Sequence, residues 1–131
     1  MSLCPNFLYA GPDIPWMNPE CIGINTLPPR THLHGFTNEV EAINAKPLDS
    51  HWHLNLDGNW KFRLYQKPAD LDEGCIKPDG KDSEWDSIKV PGNWMMQGYD
   101  SPHYTNVQMP FAHQPPKVPE ENPTGVYRSC F

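Results

Sequence analysis

The chain has 131 residues, enough for one domain of ordinary size, and carries 16 prolines, 9 glycines and only 37% hydrophobic residues. Proline fixes φ and removes a backbone donor, which disfavours long helices and broad sheets, but five Trp, five Tyr and five Phe supply apolar area that disordered chains lack. A net charge of −6 without runs of Lys or Arg argues against nucleic acid and membrane-surface partners.

The first residues of the chain and its cysteines indicate in which cellular compartment the protein is expected. MSLCPNFLYAGPDIPW lacks a basic segment followed by an apolar one, so no secretory signal is predicted. Cys4, Cys21, Cys75 and Cys130 are scattered without a C-x-x-C pair. This pattern favours reduced thiols and a cytoplasmic location over the two disulfides of a secreted protein, which stay the alternative.

Residues 1–50 show little periodicity and are predicted to form an extended, proline-rich N-terminal arm. GPDIPWMNPECIGINTLPPR is rich in proline and turn pairs. We expect it to run over another surface, with Trp16, Ile22, Ile24 and Leu27 as apolar contacts.

TNEVEAINA predicts two helical turns within the arm. Thr37 or Asn38 can cap them, and Val40 and Ile43 share a face. Pro47 disfavours a helical residue before it and should end the helix.

HWHLNLDGNWKFRLYQ predicts a β-hairpin. Leu54 and Leu56 alternate with polar residues, and the Asp57-Gly58 pair is typical of a tight turn. Apolar residues then alternate again along the second strand, at Trp60, Phe62 and Leu64.

Three further extended segments follow. SEWDSIKVPGNW predicts a short strand around Ile88 to Val90, and HYTNVQMPF predicts another extended piece. Gly125 to Phe131 has the pattern of an edge strand with large side chains on both faces: Val126, Arg128 and Cys130 on one, Tyr127, Ser129 and Phe131 on the other. Short strands and frequent turns predict an all-β jelly roll or sandwich, incomplete because about four strands cannot close one.

Four ordered stretches resemble a known family: PWMNPECIGINTLPPR, LDGNWKFRLY, VPGNWMMQGYDSPHYTNVQMPF and PPKVPEENPTGVYR. They resemble the N-terminal region of family 2 glycoside hydrolases of the large β-galactosidase type. The resemblance implies that residues 51–131 are the first part of a galactose-binding-like, sugar-binding jelly roll, truncated at its C-terminus. It also implies later immunoglobulin-like domains and a (β/α)₈ barrel with the catalytic carboxylates, and retaining hydrolysis of terminal β-D-galactosides.

No catalytic residue is predicted in the chain, which alone should be inactive. A retaining glycosidase needs two carboxyl groups about 5 Å apart. Glu120 and Glu121 would project to opposite sides of extended backbone. The other acidic groups lie in polar loops, where little raises the pKa of a general acid; they are Asp70 with Asp72 and Glu73, and Asp82 with Glu84 and Asp86.

Asn106, in the motif YTNV, is the predicted substrate-binding residue. The resemblance implies that this asparagine hydrogen-bonds galactosyl hydroxyl groups of a lactose-like substrate. An amide both donates and accepts, as a hydroxyl does; the alternative is a turn asparagine that bonds nearby backbone. In GNWMMQGY, Trp94 and Tyr99 could stack on a sugar, but anchoring of the loop is favoured, with Asn93 as a turn cap and Gly98 at positive φ.

Asn18, in WMNPEC, resembles a family position that helps to hold a structural magnesium ion. The acidic residue that the family has before the tryptophan is Pro15 here, and Asp13 is a conceivable substitute. The resemblance implies Mg²⁺ and Na⁺ in the complete enzyme, with no ion held by this chain alone.

Two H-x-H pairs, His32/His34 and His51/His53, could each chelate zinc because residues i and i+2 of a strand share a face. No third ligand lies at a recognisable spacing, so surface or half-buried histidines are favoured. The cysteines lack a local base and are expected to be unreactive thiols.

The chain is thus predicted to be a packing and substrate-positioning segment of a β-galactosidase. Its partners would be the remaining enzyme domains, in a homo-oligomer when complete, with no nucleic acid or membrane. Two alternatives stay open: a self-standing carbohydrate-binding module, and a separately encoded subunit that completes a truncated glycosidase by donating strands.

Overall fold

A computed structural model of the chain describes residues 14–103, 106 and 114–131. In these ranges it has strands β1 (Gly58–Tyr65), β2 (Asp86–Val90) and β3 (Thr124–Arg128), one helix α1 (Glu39–Asn44) and several short 3₁₀ turns. The strands form an antiparallel sheet in the order β2-β1-β3. The predicted all-β class is confirmed, and a small open sheet is consistent with an incomplete sandwich.

β1 is the central strand, with β2 on one side and β3 on the other. Gly58 to Phe62 pair with β2, and Lys61 to Tyr65 pair with β3. The strand predicted around Ile88 is confirmed as β2. The strand predicted from Gly125 to Phe131 is confirmed as β3 up to Arg128, where it ends three residues early, and β3 lies at an edge of this sheet. Most of the predicted piece HYTNVQMPF lies outside the described residues.

The predicted hairpin is wrong in its first half. The residues before Gly58 are not in a strand, although the alternating segment after it is β1. A turn at Asp57-Gly58 would have aligned Leu54 to Leu56 with the start of β1, but β2 occupies that stretch instead. Leu54 and Leu56 remain 59% and 42% exposed.

Each face of the sheet buries its own apolar cluster, as expected from large side chains on both faces of β3. Face I carries Phe62 and Ile88, which are 0% and 2% exposed, and also Tyr127, which lies opposite Phe62. Face II carries Tyr65 and Val126. On face II the segment 68–85 folds over the sheet and adds Leu71, Cys75 and Trp85 to the cluster. Burial, reinforced by the charge of Asp72, raises the pKa of the Cys75 thiol, whereas Arg128 opposes the rise.

Arg128 of β3 holds the segment 68–85 in place on face II. Its Nη1 donates to the carbonyl of Gly80 at 2.6 Å and lies 3.4 Å from a carboxylate oxygen of Asp82. Its Nη2 donates to three further carbonyls, those of Gly74 at 3.3 Å, Cys75 at 3.0 Å and Lys77 at 2.7 Å. The guanidinium also stacks over Trp85, 5.2 Å from the ring centre.

Gly23–Asp57 forms a compact unit distinct from the one that contains the sheet. In it α1 begins at an N-cap, Asn38, whose side chain accepts from the amide of Glu41, and ends before Pro47. The helix prediction is therefore confirmed. Val40 and Ile43 of α1 are 69% and 73% exposed. The predicted division into residues 1–50 and 51–131 stays a prediction.

In the part of the chain that the structure describes, no helix has the length and apolar character needed to cross a membrane. The cytoplasmic location stays a prediction.

Candidate functional site

The segment after β2, here called the anchor loop (residues 91–103), ends three residues before Asn106 in the sequence. It contains a 3₁₀ turn, Trp94–Gln97, that begins where the side chain of Asn93 accepts a hydrogen bond from the amide of Met95 at 2.9 Å. The turn ends at Gly98 with φ of 93°, a conformation that glycine adopts without strain. Both turn predictions, for Asn93 and Gly98, are confirmed.

Aromatic side chains fix the anchor loop to face I of the sheet. The ring of Phe62 lies 4.6 Å from that of Tyr99, 5.9 Å from that of Trp94 and 4.8 Å from that of Tyr127, measured between ring centres. Tilted and edge-on pairs at these distances are favourable beyond the area that they bury. The prediction that Trp94 and Tyr99 anchor the loop is confirmed.

Trp94 fits against the sheet because residue 125 has no side chain. A Cβ at Gly125 would overlap the Cζ3 of Trp94 and would lie 2.8 Å from the Cε2 of Phe62. The glycine of NPTGVY therefore makes room on β3 for the indole, a role with no signal in the local sequence pattern.

We expect Gly125→Ala to destabilise the chain by about 1–3 kcal/mol, the usual result of overpacking a core. Trp94 would have to leave its place, so its fluorescence emission should also move to longer wavelength. Urea unfolding followed by tryptophan fluorescence measures both effects. Gly35→Ala is the matched control, since a Cβ there would meet Trp52 at an ordinary 3.6 Å; equal effects of the two variants would contradict the account of Gly125.

A polar anchor holds the loop along the outer edge of β2. The side-chain oxygen of Gln97 accepts from the amide of Lys89 at 2.9 Å, and its nitrogen donates to the carbonyl of the same residue at 3.0 Å. Tyr99 also makes a polar contact, a hydrogen bond with Asp86. Burial, and after it the charge and hydrogen bond of Asp86, raises the pKa of Tyr99. The role of Gln97 has no signal in the local sequence, because its partner Lys89 lies eight residues back, across a turn.

Asn106 is exposed, and residues 104–105 and 107–113 beside it lie outside the described ranges. The anchor loop ends three residues before Asn106 in the sequence, and its base is fixed to the sheet at Trp94, Gln97 and Tyr99. The role of Asn106 in binding substrate stays a prediction.

Several of the acidic side chains that were considered as catalytic carboxyl groups lie next to a cationic side chain or a hydroxyl group. Asp82 pairs with Arg128, and Asp86 contacts Tyr99. Glu120 lies 3.5 Å from the amine of Lys67, with its side chain 90% exposed. Asp82 and Asp86 thus have structural contacts, and Glu120 lies at the surface.

The predicted metal ligand, Asn18, follows the 3₁₀ turn Pro15–Met17. Its side-chain oxygen accepts a hydrogen bond from the amide of Glu20 at 3.0 Å. Mg²⁺ prefers an octahedral set of oxygens that includes carboxylates, and over residues 14–103, 106 and 114–131 no three His, Cys, Asp or Glu side chains form a metal site. The Asn18 ligand and the Mg²⁺ and Na⁺ ions of the complete enzyme stay predictions.

The histidines of both H-x-H pairs are exposed, which confirms the prediction of surface positions. The rings of His32 and His34 lie edge to face, 4.4 Å apart. Of the cysteines, Cys21, Cys75 and Cys130 are unpaired, as predicted, and Cys4 lies outside the described residues.

Comparison with known proteins identifies the family of the chain. A family model for the sugar binding domain of glycosyl hydrolases family 2 matches residues 54–131. A β-galactosidase of Vibrio cholerae is 44% identical over 117 residues, which make up 88% of this chain and 11% of that protein. The β-galactosidases of Psychromonas ingrahamii and Pseudoalteromonas haloplanktis are 43% and 39% identical, again over 88% of this chain and 11% of theirs.

The chain thus spans 11% of the length of these curated relatives. The matched residues 54–131 include all three strands, both faces of the sheet and the anchor loop. The resemblance noted in the sequence is confirmed: the chain belongs to glycoside hydrolase family 2, through its sugar-binding domain.

Proposed function

We propose that this chain is the N-terminal packing and substrate-positioning segment of a β-galactosidase, an enzyme that hydrolyses terminal β-D-galactosides with retention. The catalytic carboxyl groups would come from another part of the complete enzyme, and the chain alone would be inactive. The proposal rests on identity to β-galactosidases over 88% of the chain.

The anchor loop supports a role in positioning. An asparagine that recognises sugar hydroxyls must be held in place, because each hydrogen bond requires a donor and acceptor within about 3 Å. The base of the loop is fixed by burial on face I and by the pairing of Gln97 with β2. Asn106 would therefore enter the substrate site from a firm support and present its amide to the galactosyl group.

A chimera tests the proposal. The segment of the Vibrio cholerae β-galactosidase that matches this chain would be replaced by the chain, and hydrolysis of nitrophenyl β-galactoside would be measured. We expect the chimera to fold and to cleave the substrate, whereas the 131-residue chain alone should not. A chimera without activity, whether unfolded or folded, would count against the packing and positioning role.

Within the chimera we expect Asn106→Ala to raise KM and to lower kcat/KM by about 10- to 100-fold, the result of losing one or two substrate hydrogen bonds. The factor should be the same for lactose and for nitrophenyl galactoside, because the lost contacts are to the galactosyl group. Asn59→Ala, the same change at an exposed position of β1, is the control. Unchanged kinetics of the Asn106 variant would remove the site assignment.

The same samples distinguish the two alternatives. A self-standing carbohydrate-binding module would bind galactosides as the isolated 131-residue chain, which calorimetry would detect. A separately encoded subunit would restore activity when mixed with a relative from which the matched segment had been deleted. In both cases Asn106→Ala separates sugar recognition from packing.

A further inference from the structure

Gln97 pairs with the sheet in the manner of an added strand residue. β2 is an edge strand of the sheet, and the amide and carbonyl of Lys89 both point to the outer side, where the side chain of Gln97 meets them at 2.9 and 3.0 Å. One amide group thus satisfies both backbone groups of one residue. It cannot rotate or slide without breaking at least one of the two bonds, so it fixes orientation as well as distance.

The surrounding backbone is shaped to admit this contact. A Cβ at Gly92 would lie 2.6 Å from the side-chain nitrogen of Gln97 and 2.8 Å from the carbonyl of Lys89. Any larger residue at position 92 would therefore push the amide off the strand edge. The pairing of Gln97 with β2 therefore depends on a glycine at position 92.

The bonds of Gln97 are exposed to solvent, unlike the contacts of Trp94 and Tyr99 with Phe62. Exposed hydrogen bonds contribute little net stability, because water replaces them at small cost. What they do contribute is a fixed position of the loop along the edge of β2, in addition to the aromatic contacts on face I. Gln97 is the last residue of the turn and precedes Asn106 by nine residues in the sequence.

We propose that Gln97 is a positioning residue for galactoside binding: its pairing with the Lys89 backbone sets the direction in which the anchor loop presents Asn106. This inference rests on the proposed function of Asn106. It assigns to Gln97 no contact with the substrate, and it predicts that the effect of Gln97 on catalysis passes entirely through Asn106.

A double-mutant cycle in the chimera tests the inference. Gln97→Met keeps the length of the side chain and removes both bonds; we expect it to raise KM for nitrophenyl β-galactoside about three- to tenfold with kcat little changed. In the Asn106→Ala background the same substitution should change KM by less than about twofold, because the group that it positions is gone. A merely structural residue would lower kcat/KM by the same factor in both backgrounds.

Two further variants complete the design. Gln97→Glu keeps the acceptor for the Lys89 amide but turns a carboxylate oxygen towards the Lys89 carbonyl, so the pairing should break and KM should rise at least as much as in Gln97→Met. Met96→Ala, in the same turn at a side chain that is 80% exposed, is the control and should leave KM unchanged. If Gln97→Met does not fold, the cycle can be run with Gln97→Glu.

The possible outcomes separate this inference from the proposal beneath it. If Asn106→Ala has no effect, the proposed substrate role fails, and the inference fails with it. If Asn106→Ala acts as expected but Gln97→Met is silent, or is equally harmful in both backgrounds, the inference alone is overturned. Coupling between the two sites supports both.

Discussion

Phe62→Ala is expected to lower the free energy of unfolding by about 3–5 kcal/mol, the range for removing a buried aromatic ring. Phe62 is 0% exposed and its ring contacts Trp94, Tyr99 and Tyr127. A domain of this size has only about 5–15 kcal/mol of net stability. We therefore expect the variant to lose most of its cooperative unfolding transition.

Urea unfolding followed by tryptophan fluorescence measures the loss, and hydrogen exchange of the β1 amides gives a second reading. The matched control is Phe131→Ala, the same change at a side chain that is 86% exposed. It should change the free energy of unfolding by less than about 0.5 kcal/mol. If the two variants were equally stable, Phe62 would not be the centre of the face I cluster.

Arg128→Met is expected to release the segment 68–85 from face II. The change removes the donors for four backbone carbonyls, those of Gly74, Cys75, Lys77 and Gly80, and leaves the half-buried carboxylate of Asp82 without its cation. Breaking such a network by removing one partner costs about 2–4 kcal/mol. Methionine keeps part of the contact with Trp85, so the loss reports on the hydrogen bonds.

Hydrogen exchange resolved by peptide is the measurement for this variant. Exchange should rise in residues 72–85 far more than in β1, because the carbonyl contacts lie in that segment alone. Arg63→Met is the control: this arginine is exposed and stacks on Tyr65 at 5.3 Å. Uniform exchange across the sheet and the segment would show that Arg128 supports the whole fold and not this segment.

Local patterns in the sequence predicted the local structure. Alternating apolar residues from Trp60 to Leu64 specify β1, and an asparagine cap followed by Val40 and Ile43 specifies α1. The turn chemistry of Asn93 and Gly98 was readable for the same reason, since each acts within a few residues. These features depend on the conformations and hydrogen bonds of neighbouring residues.

Pairing between distant segments was not readable from the sequence. The Asp57-Gly58 pair looks like a hairpin turn, yet β1 pairs with β2 and β3, which begin 28 and 66 residues after the start of β1. Register of this kind depends on which surfaces bury together and not on the turn dipeptide. Arg128 and Gln97 were missed for the same reason: their partners lie 46–54 and 8 residues away.

The candidate site likewise combines a residue that a local motif indicates with residues that depend on contacts between distant segments. The role of Asn106 is predicted from the motif YTNV through the family resemblance, whereas Gln97 and Gly125 act through contacts that only the fold creates. Gly125 makes room for Trp94, and Gly92 makes room for Gln97. Neither glycine differs in the sequence from an ordinary turn or strand glycine.

A crystal structure of the chimera with bound galactose tests the central claim most directly. We expect the side-chain amide of Asn106 within about 3.2 Å of at least one galactosyl hydroxyl, and Gln97 still paired with the Lys89 backbone. Galactose bound with Asn106 more than about 6 Å from every hydroxyl would contradict the proposal, because neither a direct hydrogen bond nor one bridging water would then join them.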